Sequence, residues 1–104
     1  MPVLTQKRQE QLTRTWVIRS AENFVDELIK TDTQNEYVLW EREERVTFRE
    51  HDAYVWLHRI PAKHRVRLHY VDGVLDLIYV DGHGSFRTGG RSFHELAEFI
   101  NKLD

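Results

Sequence analysis

The stretch "HRVRLHYVDGVLDLIYV", residues 64–80, decides the fold. Two runs rich in Val, Leu and Tyr flank Asp72-Gly73. An Asp-Gly pair accepts the positive φ that a type I′ turn demands at both central positions, so the stretch reads as a β-hairpin. A two-residue loop pairs Val71 with Val74, and the two-residue period of a strand then sets the register. Tyr70 faces Leu75, Leu68 faces Leu77 and Val66 faces Tyr79 on one wholly apolar side, which reads as core. On the other side His69 faces Asp76, Arg67 faces Ile78 and Arg65 faces Val80.

Strand character extends back from this hairpin to Glu36. "EYVLWERE" (36–43) and "RVTFRE" (45–50) read as one long bent strand with Val38, Trp40, Val46 and Phe48 on one face. Glu43-Glu44 lacks the residue types of a tight hairpin turn. His51-Asp52 turns the chain into "AYVWLHRI" (53–60), which Pro61 stops. Further back, "TDTQN" (31–35) is a turn cluster. Ala21, Phe24, Val25, Leu28 and Ile29 recur at helical spacing, which gives an amphipathic helix over 21–30 with Ser20 as its N-cap. "TWVIR" (15–19) reads as a short edge strand, and residues 1–13 as a loose N-terminal arm or a short first helix.

Towards the C-terminus lies "GHGSFRTGGRSFHEL" (82–96), with four of the five glycines and room for a short strand at "SFRT" (85–88). Ser92 and Glu95 have the spacing of a capping box, so a helix is expected from Phe93. Phe93, Leu96, Ala97, Ile100 and Leu103 form its apolar stripe. The expected architecture is α+β: one domain over 1–104, with an N-terminal helix, an antiparallel β-meander of about four strands and a C-terminal helix. It is a two-layer sandwich, because both helix stripes need the apolar sheet face.

The chain has 104 residues, enough for one core. With 15 basic and 17 acidic side chains its net charge is −2, so nucleic acid is not an expected partner. It has no cysteine, which excludes disulfides and thiolate chemistry. No run approaches the ~20 apolar residues of a membrane span. With no signal-peptide pattern either, the expected location is cytoplasmic. Six histidines show no metal-ligand spacing, and no nucleophile stands in a G-x-S-x-G elbow. Neither a metal nor a cofactor is expected.

Two constellations remain. A glycine-rich run entering a helix can offer backbone amides to an anion, with Gly89, Gly90 and Ser92 as the cradle and Arg87 and Arg91 as charged arms. The basic segment "HRIPAKHRVRLH" (58–69) projects Arg65, Arg67 and His69 from one side of the hairpin. Ile78 and Val80 on the same side complete a candidate contact surface. Together they point to a small non-enzymatic binding domain that acts through a protein partner, a second copy of itself as a homodimer, or capture of an anionic group. The alternative is an enzyme or a phosphate site centred on 82–92.

In outline the chain resembles the phosphotyrosine-binding SH2 domains. "WLHRI" (56–60) and "SFHELAEFI" (92–100) are similar to pieces of that family's later strands and last helix. The resemblance implies phosphopeptide capture through an Arg in an F-L-V-R-like strand. Here the matching place reads "YVLWERE" (37–43), with Trp40 where that Arg would stand and Arg42 two residues later. This departure leaves the family unassigned.

Overall fold

The computed structural model describes residues 6–32, 39–60 and 64–103. In chain order these form α1 (Gln6–Thr31), β1 (Leu39–Arg49), β2 (Asp52–Ile60), β3 (His64–Val71), β4 (Val74–Val80), β5 (Gly84–Arg87) and α2 (Phe93–Asn101). The strands pair antiparallel in the order β1-β2-β3-β4-β5, a meander. The architecture is the expected α+β sandwich, with five strands because "GSFR" (84–87) pairs with β4.

Both helices lie on one face of the sheet. Their buried side chains (Val17, Ala21, Phe24 and Leu28 of α1; Leu96, Ala97 and Ile100 of α2) join one cluster with Val55, Leu57, Val66, Leu68 and Tyr70. Phe24 and Phe93 meet edge to face, with ring centroids 5.3 Å apart. Several polar groups within this layer are matched to partners. The Trp40 indole donates to Asn101 Oδ1 at 2.9 Å, while Asn101 Nδ2 donates to the Leu28 carbonyl and the Thr31 hydroxyl. One amide thus ties β1 to the C-terminal ends of both helices. Arg59 closes a second tie to Asp32 at 3.0 Å.

Three sequence readings are corrected. Residues 6–13, read as a loose arm or a short first helix, and "TWVIR" (15–19), read as an edge strand, belong to one long helix. Val17, Ala21, Phe24 and Leu28, spaced four, three and four residues apart, form one stripe that runs back past Ser20. Ser20 is therefore not an N-cap. It lies mid-helix, and its hydroxyl accepts from the buried Tyr70 hydroxyl at 2.8 Å. Ile29, assigned to the stripe, is exposed.

The third correction changes the hairpin. Val71 pairs with Val74 and Tyr70 with Leu75, as the turn requires, and then β4 bulges at Asp76. Beyond the bulge His69 pairs with Leu77, Leu68 with Ile78, Arg67 with Tyr79 and Val66 with Val80. One extra residue moves every later side chain to the other face. Ile78 and Val80 enter the core at 1% and 2% exposure, and Leu77 and Tyr79 leave it. Thr88 secures the bulge: its amide and hydroxyl reach the Asp76 and Leu75 carbonyls at 3.0–3.1 Å.

The long bent β1 is observed, with Trp40 buried and Val46 and Phe48 packed against the core; Val38 lies outside the described residues. Its bend is a local irregularity. Arg42 pairs with Leu57 and Val46 with Val55, so Glu43, Glu44 and Arg45 together stand against Trp56 alone. No helix among the described residues is long and apolar enough to cross a membrane.

Candidate binding face

Strand alternation sends Tyr54, Trp56 and His58 of β2 away from the helices, because Ala53, Val55 and Leu57 are core. On β3 the same parity places Arg65, Arg67 and His69 outward. On β4 the bulge places Leu77 and Tyr79 beside them. Pairing across β2, β3, β4 and β5 sets Trp56, Arg67, Tyr79 and Ser85 in one row. Tyr54, His69, Leu77 and Arg87 form the next row. No helix among the described residues covers this face.

Rings and cations interleave here. The Arg67 guanidinium carbon lies 4.4 Å from the Tyr79 ring centroid and 5.4 Å from that of Tyr54. The Arg45 guanidinium lies 4.1 Å over Trp56. His69 stacks on Tyr54 with centroids 4.7 Å apart and planes within 6°. The expected partner of His69 was Asp76. The observed one is Asp52, whose Oδ2 sits 2.9 Å from Nε2.

The charges divide into two groups. Arg65 is engaged by Glu43 at 2.9 Å, and Glu43 also meets Arg45 at 3.7 Å and His58 at 3.9 Å. By contrast, no carboxylate among the described residues pairs with Arg49, Arg67 or Arg87. Arg67 Nε is buried and has no hydrogen-bond partner. Arg67 is the central residue of the face, a cation held between tyrosines and not neutralised.

Arg65, Arg67 and His69 thus lie on the helix-free side, His69 buried there at 9% exposure, whereas Ile78 and Val80 belong to the core. Lys63 lies outside the described residues. Tyr54, Trp56 and Tyr79 were missed. For the first two a signal was present: in "AYVWLHRI" the small and aliphatic residues share one parity and the aromatics the other.

The glycine-rich loop is built differently. Thr88 to Arg91 is a tight turn closed by Arg91 N–H donating to the Thr88 carbonyl at 2.9 Å. Gly89 and Gly90 have φ of 52° and 75°, the backbone such a turn needs. Ser92 caps α2, accepting from the Glu95 amide at 3.2 Å. Arg87 projects to the helix-free side of β5, since its neighbour Phe86 packs on Phe99 of α2. Arg91 instead lines a cleft beside Ser20 and Phe93. The two arginines are not brought together, and the cap already occupies one of the amides.

Comparison of the chain with protein families, curated proteins and solved structures found no match. The SH2 outline also lacks its phosphate ligand here. Trp40 is buried and bonded to Asn101, and Arg42 is engaged by Glu22 at 3.6 Å and Glu44 at 3.8 Å.

Proposed function

We propose that this chain is a protein-interaction domain that binds an acidic segment of a partner on the helix-free face of its sheet. The observation that carries this reading is Arg67, a centrally placed cation between Tyr54 and Tyr79 with no carboxylate partner among the described residues. Two further points support it. Tyr, Trp and Arg are the residue types that dominate binding energy at protein interfaces. Among the described residues the unpaired cations of the face, Arg49, Arg67 and Arg87, outnumber its unpaired acids, Glu41 and Asp76. A complementary partner is therefore acidic. The aromatic rings are packed against neighbouring cations and one another, which leaves their faces poorly placed for stacking bases.

The test is selection of displayed random peptides on the wild-type domain, with Arg67→Ala as counter-selection. Enrichment of Asp- and Glu-rich sequences that bind only wild type, with affinity falling as salt rises, is expected. Enrichment of neutral or basic sequences, or binding equal on both proteins, overturns the reading. Self-association that protects the face in hydrogen exchange would replace the foreign partner with a second copy.

A further inference from the structure

A second site lies at one end of the molecule, away from Arg67. The N-terminal half of α1 passes the β1–β2 and β3–β4 turns and leaves a cleft of about 610 Å³ between them. The two turns are tied together by the Asp72 amide, which donates to the His51 carbonyl at 3.1 Å. Leu12, Trp16 and Phe48 supply the apolar lining, and Glu10, Glu50 and Asp72 line the same cleft.

Trp16 is the anomaly. It is 60% exposed, while Trp40 is buried and Trp56 half-buried. Its indole rests beside the β3–β4 turn, where a Cβ at Gly73 would come within 3.9 Å of the ring. A large indole left open on a cleft wall has apolar area available to a ligand. The acids define the ligand's charge. No cation among the described residues pairs with Glu10, Glu50 or Asp72. Arg14, beside the cleft, places its guanidinium carbon over Phe48, 5.0 Å from the ring centroid. One guanidinium thus already rests against an aromatic ring of the lining, and the three carboxylates of the cleft have no cation partner among the described residues.

We propose that this cleft binds an arginine side chain presented by a peptide of a partner protein. A guanidinium is planar and weakly hydrated. It stacks on an indole face and donates in pairs to a carboxylate, so it uses both chemistries of the cleft at once. A neutral apolar side chain would leave the acids without a role.

The site is tested with a short capped peptide, Gly-Gly-Arg-Gly-Gly, and its citrulline counterpart, which keeps the shape and removes the charge. Binding is read from the indole N–H resonance of Trp16 and the backbone amides of the labelled domain. The arginine peptide is expected to shift Trp16 and the Glu10, Glu50 and Asp72 amides in the millimolar range or below, and the citrulline peptide to leave them in place. Glu10→Gln combined with Asp72→Asn should weaken binding by about fivefold or more, since each lost charge contact contributes up to ~1 kcal/mol. Asn is tolerated at the positive φ of 50° that Asp72 adopts, so the turn persists. Trp16→Ala, at an exposed position, should abolish binding and leave the dispersed spectrum of the folded domain. Equal binding of both peptides, shifts unchanged in the variants, or no shifts at tens of millimolar arginine peptide would each overturn the proposal.

Discussion

Tyr70 and Tyr79 stand on neighbouring strands and on opposite faces of the sheet. Tyr70 is sealed under the helices, and its hydroxyl is bonded to Ser20. Tyr79 is half-exposed and shares the Arg67 guanidinium with Tyr54. The contrast extends to the faces they belong to. Under the helices, apolar area removed from water provides the stability, and the Tyr70 hydroxyl and the Trp40 indole N–H each have an assigned partner. On the open face the contacts are cation to ring and ring to ring, worth ~0.5–1 kcal/mol each when exposed. The first face holds the fold, and the second can change its contacts at little cost to it. A surface of the second kind can exchange its own contacts for those of a partner.

The bulge at Asp76 sorts residues between these faces, and it gives the largest expected difference. Ile78→Ala should destabilise the protein by about 2–5 kcal/mol, the cost of emptying a buried aliphatic site. Leu77→Ala, one residue earlier on the open face, should cost less than about 1 kcal/mol. Denaturant unfolding of both variants checks this. The reverse order would restore the unbulged register. Next is Asn101→Ala, which leaves the Trp40 indole N–H without its partner and should cost about 1–3 kcal/mol.

Tyr70 gives the buried side a pH signature. Burial pushes its hydroxyl up to about 12, with the Ser20 contact offsetting part of the rise. A phenol unfolded in water titrates near 10. The stability from keeping Tyr70 neutral is therefore complete below pH ~10 and is lost as pH rises through about 12, because the unfolded chain ionises first. Tyr70→Phe should flatten the stability profile in that window. The smallest effect is expected for Arg67→Ala, within about 1 kcal/mol in thermal melts, against a clear loss in the peptide selection. A large loss of stability would make Arg67 a structural residue and remove it as a binding residue.

The same contrast explains what was legible in the sequence. The Asp72-Gly73 turn, the Ser92 cap and the α2 stripe are local signals, each complete within a few residues, and each is observed. Ser20 offers the same hydroxyl as Ser92, but its partner lies fifty residues away on β3, and no local pattern separates a cap from such a contact. The bulge left a partial trace. In "VLDLIYV" Asp76 shares parity with Ile78 and Val80, a conflict of phase that one inserted residue resolves. The stabilising partner of that insertion, Thr88, comes from the segment between β5 and α2 and could not be read from the hairpin. The candidate face was half legible. Arg65, Arg67 and His69 followed from the turn, whereas Tyr79 required the bulge.

The irregularity in β1 bears on how the protein behaves at high concentration. β1 is an outer strand of eleven residues, long enough to recruit an unpaired strand from another molecule and begin a growing stack. Glu43, Glu44 and Arg45 break its ladder into two short pieces, Leu39–Arg42 and Val46–Arg49. Neither piece matches the six- or seven-residue segments that build cross-β fibrils. Glu41, Glu44, Arg45 and Arg49 are exposed along it, and an incoming strand would have to accommodate their charges. The bend that accommodates Trp56 on the inner side thereby protects the outer side against fibrillar growth.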